Sequence, residues 1–280
     1  IILLDKITKI FDYTTEKIFK NVLTSSSIIV CESANKYSGI KYYDISNEKT
    51  SLIDKTNLNN KWIFNNDCND GGVLFSDYFL AATSVATLLN EAFVIKNYEE
   101  EDEYFLVDNI LVEKELVKIA ASPRSLSRNV DELIIFPYKF GNAGLIKIAT
   151  ETMDIQYPGI IKHLEKFRDK LESRDSDKSS KWFEYGRSQA IDNLNQRKLL
   201  MSFIVTNRVN VYELDENTIP YSGIYIVPKS NLDLSLAKEI LESNEFFEYV
   251  KRIGIYVSGS SLRITANDIK KFDISKWRIK

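Results

Sequence analysis

The chain has 280 residues, with 37 Lys and Arg against 40 Asp and Glu, a formal net charge of −3, one His and two Cys. That length accommodates one large or two ordinary domains, and 44% apolar with 12% aromatic residues is enough to bury a core, which excludes wholesale disorder. Two cysteines exclude a disulfide framework and a four-thiolate zinc site, and the single His163 excludes His-rich metal centres and most triad chemistry.

Charged residues interrupt every apolar run before the roughly 18 residues that a bilayer crossing needs, and no secretory signal is present. The expectation is a soluble, cytoplasmic protein with Cys31 and Cys68 as free thiols. The first residue is Ile1 and the only methionines are Met153 and Met201, so the chain reads as a piece of a longer polypeptide.

In chain order, Ile7, Ile10, Phe11, Ile18 and Phe19 fall at helical spacing and predict a first helix. Residues 26–30 are β-branched and apolar and residues 40–45 alternate, which predicts a hairpin turned at residues 35–39. Too small to fold alone, this helix and hairpin reads as the finish of a sheet whose other strands lie elsewhere. Residues 57–72, rich in Asn, Asp and Gly, mark a boundary between a unit at 1–56 and a unit at 73–280. Alternating apolar positions follow over residues 77–95, then an acidic solvated loop at 99–103, a strand at 104–107 and a short helix over 111–119. A buried strand over 133–138 is ended by Pro137.

Pro158 opens an amphipathic helix carrying Ile161, Leu164, Phe167 and Leu171 and ending near Ser173, and a polar linker spans 174–180. Strands over 199–205, 209–214 and 223–227, a helix over 234–253 and a hairpin over 255–264 complete the chain. Strands and helices mix without a regular βαβ repeat, so the fold class is α+β.

The net charge hides a pattern. Residues 1–161 hold 16 basic and 23 acidic side chains, residues 162–208 hold 11 and 7, residues 209–250 hold 2 and 8, and residues 251–280 hold 8 and 2. Two basic segments thus sit inside an acidic average. A phosphate-facing surface needs local rather than global positive charge, and ordinary solvation of helix and linker lysines explains the pattern equally well.

Self-sufficient catalytic chemistry is missing. The glycines form neither a dinucleotide loop nor a phosphate-cradling Gly-Lys loop, His163 falls in a helical stretch, and Asp268-Ile269-Lys270 is too short to define a nuclease site. No catalytic residue and no metal ligand is assigned.

Several patches nevertheless occur in a telling order: Phe19-Lys20-Asn21-Val22-Leu23-Thr24-Ser25-Ser26-Ser27-Ile28-Ile29-Val30; Ala82-Thr83-Ser84-Val85-Ala86-Thr87-Leu88-Leu89-Asn90-Glu91-Ala92-Phe93-Val94; Ile135-Phe136-Pro137-Tyr138; Tyr157-Pro158; Trp182-Phe183-Glu184-Tyr185-Gly186-Arg187-Ser188-Gln189; and residues 237–251. Together they resemble the C-terminal part of adenine-specific DNA methyltransferases of restriction-modification systems, the group with a TaqI-like target-recognition domain. The patch at 182–189 is the most specific. Ser84 replaces the usual glycine, Glu242-Ser243-Asn244 shuffles a common Asn-Ser, and the Asn-Pro-Pro-Tyr motif and the S-adenosylmethionine loop do not occur in these residues.

The resemblance implies that residues 1–56 end an α/β Rossmann-like catalytic domain, with its closing helix and hairpin, and that residues 73–280 form a mixed-strand DNA target-recognition domain. An upstream domain of the same polypeptide would bind S-adenosylmethionine and methylate a flipped adenine on its exocyclic amine, and a fused nuclease is compatible with the pattern. The expected partner is double-stranded DNA, with no membrane. Arg187 would read guanine or clamp a phosphate, Gln189 would pair with adenine, and Gly186 would let the backbone approach DNA. Lys181, Tyr185 and Ser188 share that patch. Arg197, Lys198 and Arg208 would hold phosphates, as would the turn carrying Ser258, Ser260, Ser261 and Arg263. The loop around Arg124 and the patch at Thr83 and Thr87 complete the expected contacts, several loops converging on one groove. A non-catalytic module docking on a separate methyltransferase or nuclease is the alternative.

Overall fold

The structure, a computed structural model, describes residues 4–13, 18–19, 26–33, 38–58, 72–141 and 144–277. The expected turn at residues 35–37, most of the boundary at 57–72 with Cys68, and residues 20–25 of the first patch lie outside the described residues.

Where it is described at residues 7–12, the expected first helix is a strand. Ile7–Asp12 is one of the two interior strands of a four-stranded sheet in the order Ser27–Cys31, Ile7–Asp12, Gly39–Asp44, Lys49–Asp54. The two segments expected to form one hairpin instead flank it, Ser27–Cys31 antiparallel and Gly39–Asp44 parallel. Ile10 lies opposite both Ile29 and Tyr42, so β-branched residues on a pleated surface override a spacing that also fits a helix. Ile7, Ile10, Ile40 and Ile53 form its small core, while Ile28, Ile29 and Leu52 are exposed.

The rest of the chain is α+β, built around two further four-stranded sheets. One has the order Val211–Leu214, Lys198–Met201, Ile224–Pro228, Phe79–Thr83, all antiparallel. Phe79, Leu199, Met201, Ile224 and Ile226 face the helices Leu234–Glu242, Asn244–Ile253 and Ala266–Lys270. Tyr225 and Val227 point to the opposite face and join a second core, so Ile224–Pro228 reads as an unbroken apolar run because both its faces are covered. The second core lies between the helices Thr150–Gln156, Pro158–Glu165 and Arg168–Glu172 and a sheet in the order Thr218–Pro220, Val117–Ala121, Glu132–Ile135, Val94–Ile95.

Several expected elements differ. The one helix expected from Pro158 to near Ser173 is two, Pro158–Glu165 and Arg168–Glu172, and the strand expected over 199–205 is two, Lys198–Met201 and Ile204–Val205, in different sheets. The short helix over 111–119 is two strands, Ile110–Glu113 and Val117–Ala121, around a tight turn, and the exposed Leu111 between buried Ile110 and Val112 shows the strand period. The acidic run is exposed as expected, but Glu99–Glu100 pairs with Tyr104–Val107. The long helix over 234–253 breaks at Ser243, whose Oγ accepts from the Phe246 N–H at 3.1 Å and starts a new helix. Pro158 at a first helical position, Ser173 as a helix end, Pro137 ending a buried strand and the final hairpin are as expected. Among the described residues no helix is long and apolar enough to cross a membrane.

Candidate nucleic-acid interface

The segment Ser122 to Arg128, expected as a loop, contains the short helix Pro123–Ser127. Ser122 caps it: its Oγ accepts from the Ser125 N–H at 3.0 Å, and its own N–H donates to Ser125 Oγ at 3.0 Å. Pro123 supplies a first residue with the right φ and no N–H to satisfy. Asn129 then takes a left-handed φ of 50°, and the Val130 N–H returns to the Ser125 carbonyl, which closes the helix. Leu126 packs on Ala121, Leu200 and Leu214. With Leu126 held inward, Arg124, Ser127 and Arg128 are left exposed. The base of this helix is braced by Tyr221, whose hydroxyl reaches Ser122 Oγ at 3.2 Å and Glu132 Oε2 at 2.5 Å. Burial, then the Glu132 carboxylate, pushes the Tyr221 hydroxyl up to about 12, so it stays a donor.

Across from this helix stands the chain from Met201 to Tyr212. Between them lies an open cleft of about 330 Å³, whose lining includes Arg124 and Arg128 on one wall and Arg208, Asn210 and Tyr212 on the other. Among the described residues no carboxylate lies within ion-pair distance of Arg124, Arg128 or Arg208. Three guanidiniums without ion-pair partners at one cleft make it a favourable place for a polyanion. Ile204, also in the lining, pairs with exposed Arg263 of the last hairpin, and Thr206 Oγ1 meets Ser261 Oγ at 2.9 Å. The expected contacts Arg124, Arg208, Ser261 and Arg263 thus come together at one face, with Ser258 and Ser260 in the same hairpin. Arg128 belongs with them and was not singled out, because charge count does not tell which arginines have partners.

The patch at 182–189 has a different role. Tyr185 is fully buried, donates its hydroxyl to the Ile135 carbonyl at 2.8 Å and packs edge-on against Phe93 and Tyr138. Gly186 faces protein: a Cβ there would lie 2.5 Å from Leu88 Cδ1. Thr87 is fully buried, its Oγ1 on Asn90 at 2.5 Å and its carbonyl accepting from the Gly186 N–H. Lys198 is also buried, its ammonium on the carbonyls of Asp215 and Thr218, and burial pushes it down to about 8. The expected DNA contacts of Tyr185, Gly186, Thr87 and Lys198 are therefore corrected: solvent, and hence DNA, does not reach these groups.

The remaining expected residues are placed variously. Lys181 donates to the Ile148 carbonyl at 3.2 Å and lies over the Phe183 ring. Arg187 is exposed but sits 3.5 Å from Asp175 and 3.9 Å from Asp177, Arg197 is 3.5 Å from Glu213, and the Ser188 N–H points to Asp177. Gln189 and Thr83 are exposed, the latter on the far edge strand of the first large sheet. Asp268, which by itself did not define a nuclease site, caps the helix Ala266–Lys270 by accepting from the Thr265 N–H at 2.8 Å.

One residue the sequence reading passed over organises the whole patch. Arg174, placed in a polar linker, donates to the carbonyls of Thr87, Leu171, Trp182 and Glu184. It joins the 84–89 loop, the helix Arg168–Glu172 and the 182–189 patch through one rigid guanidinium.

No protein-family model matches the chain. In sequence it is 27% identical over 188 residues to the type II methyltransferase M.MjaIV of Methanocaldococcus jannaschii, a match covering 63% of this chain and 58% of that protein. In fold it is similar to the type IIL restriction-modification enzyme MmeI, solved in complex with DNA, at a TM-score of 0.53 and 14% identity, over 93% of this chain and 34% of that one. The chain thus spans less than two thirds of the one protein and about a third of the other, related in sequence to a restriction-modification methyltransferase and in fold to part of a restriction-modification enzyme.

Proposed function

We propose that the chain is the target-recognition part of an adenine-specific DNA methyltransferase of a restriction-modification system. It grips duplex DNA while an upstream domain of the same polypeptide, which binds S-adenosylmethionine, methylates the exocyclic amine of a flipped adenine. The sheet at residues 7–54 is the end of that catalytic domain, and its exposed Ile28 and Leu52 are covered there. The observation that carries the reading is the cleft with Arg124, Arg128 and Arg208 uncompensated on a chain of net charge −3. A steep salt dependence of duplex binding follows. Each Arg→Ala change in the cleft lowers the slope of log K against log salt by about 0.9, whereas Arg187→Ala, whose charge Asp175 and Asp177 already answer, moves it less. Binding unchanged between about 50 and 200 mM salt overturns the reading.

The same exposed Ile28 and Leu52 also suit a specificity module that docks on a separate methyltransferase or nuclease. Co-purification of a stable complex with such an enzyme, formed through the sheet at residues 7–54, selects this second reading.

A further inference from the structure

We infer that Asn210 reads an adenine base edge in the cleft, and that the adenine-reading role expected of Gln189 belongs to it; this rests on the proposed recognition of duplex DNA. The cleft sorts its polar side chains by what they have left to give. Ser127 Oγ donates to the Arg124 carbonyl at 2.9 Å and Ser202 Oγ accepts from the Ile204 N–H at 2.9 Å, so both are engaged with backbone. The guanidiniums of Arg124, Arg128 and Arg208 offer donors alone, which suit phosphates or guanine. Adenine presents an acceptor at N7 and a donor at N6 in the major groove, and a carboxamide is the side chain that answers both at once. Asn210 carries the one carboxamide in the lining, it is exposed, and no other described residue engages its side chain.

Its backbone is also fixed, which base readout requires. Val209 and Val211 on either side are buried, and the Val211 N–H donates to Glu242 Oε1 at 2.9 Å. Val211 begins the strand Val211–Leu214, held along its length by Lys198–Met201. Asn210, directly before that strand, and Tyr212 within it both line the cleft, next to Val209. Gln189 has no comparable setting: it lies outside the cleft lining, in a turn beside Arg187, whose charge Asp175 and Asp177 already answer.

Selection of bound duplexes from a randomised library, with the chain as it stands and with Asn210→Ala, tests this. The expected result is a sequence motif in which the Ala variant loses preference for adenine at one position, by roughly 10- to 100-fold, while its salt slope is unchanged. Asn210→Asp, which can only accept, should shift that position toward cytosine, a change that a purely structural role does not produce. Identical motifs from all three proteins overturn the assignment to Asn210 and leave DNA recognition standing. Failure of the unaltered chain to select any motif overturns both.

Discussion

Replacing Arg174 by Ala removes the donor that four carbonyls share. The guanidinium reaches the Thr87 carbonyl through Nη1, Leu171 at 2.9 Å through Nε, and Trp182 and Glu184 at 2.8 and 3.0 Å through Nη2. A net of about 1 kcal/mol for each hydrogen bond gives a sum near 4 kcal/mol. The Thr87 carbonyl keeps its bond from the Gly186 N–H, and water reaches the half-buried site, so the expected loss is about 3–4 kcal/mol. For a chain of this size that lowers the melting temperature by roughly 6–16 °C. Arg174→Lys, a point charge with no planar fork, should recover less than half of the loss. Urea titration measures both, with the midpoint falling and the slope unchanged. A loss below about 1 kcal/mol for the Ala variant, or full stability in the Lys variant, refutes the view that this guanidinium holds the patch together.

Two further outcomes follow from buried contacts. Gly186→Ala drives a methyl group into Leu88 and should cost about 1–3 kcal/mol, with most of that recovered in the Gly186→Ala, Leu88→Ala double variant because Leu88 is partly exposed and can be trimmed cheaply. Duplex affinity that falls in the single variant without any loss of stability would instead return Gly186 to the DNA surface. His163, the one histidine, is held below its ordinary value by burial and then by Lys166, with Nε2 on the Ala92 carbonyl at 3.2 Å and Nδ1 without a hydrogen-bond partner among the described residues. Its folded form resists protonation more than its unfolded form, so stability present above about pH 6.5 is lost as pH falls below it. Proton NMR of the imidazole, together with unfolding midpoints from neutral to mildly acidic pH, checks this; an imidazole titrating at or above 6.5 contradicts it.

Local chemistry was legible from residue order alone. Pro158 and Ser173 bound a helical region, Pro137 ends a buried strand, and the α+β class followed from strands and helices without a βαβ repeat. These depend on backbone geometry and on neighbours a few residues away, which sequence contains. Residues 7–12 and 111–119 were misread because apolar spacing there fits both periods, and the choice falls to strands that come later in the chain, such as Gly39–Asp44 and Glu132–Ile135.

The family-like patches pointed to a restriction-modification methyltransferase, yet the middle of the most specific of them, residues 183–186, is packing, and only its end at Arg187 and Gln189 is surface. Tyr185 and Gly186 are distinctive because so much converges on them, and distinctiveness does not separate a buried anchor from a ligand contact. What the tertiary structure alone decided is which charges are available. Arg187 and Arg197 meet carboxylates, Lys198 is sealed under carbonyls, and Arg174 is bound to four of them, whereas Arg124, Arg128 and Arg208 share a cleft with none. A charge can be counted from a sequence, but whether it is neutralised depends on which residues, tens of positions apart, the fold brings within about 4 Å.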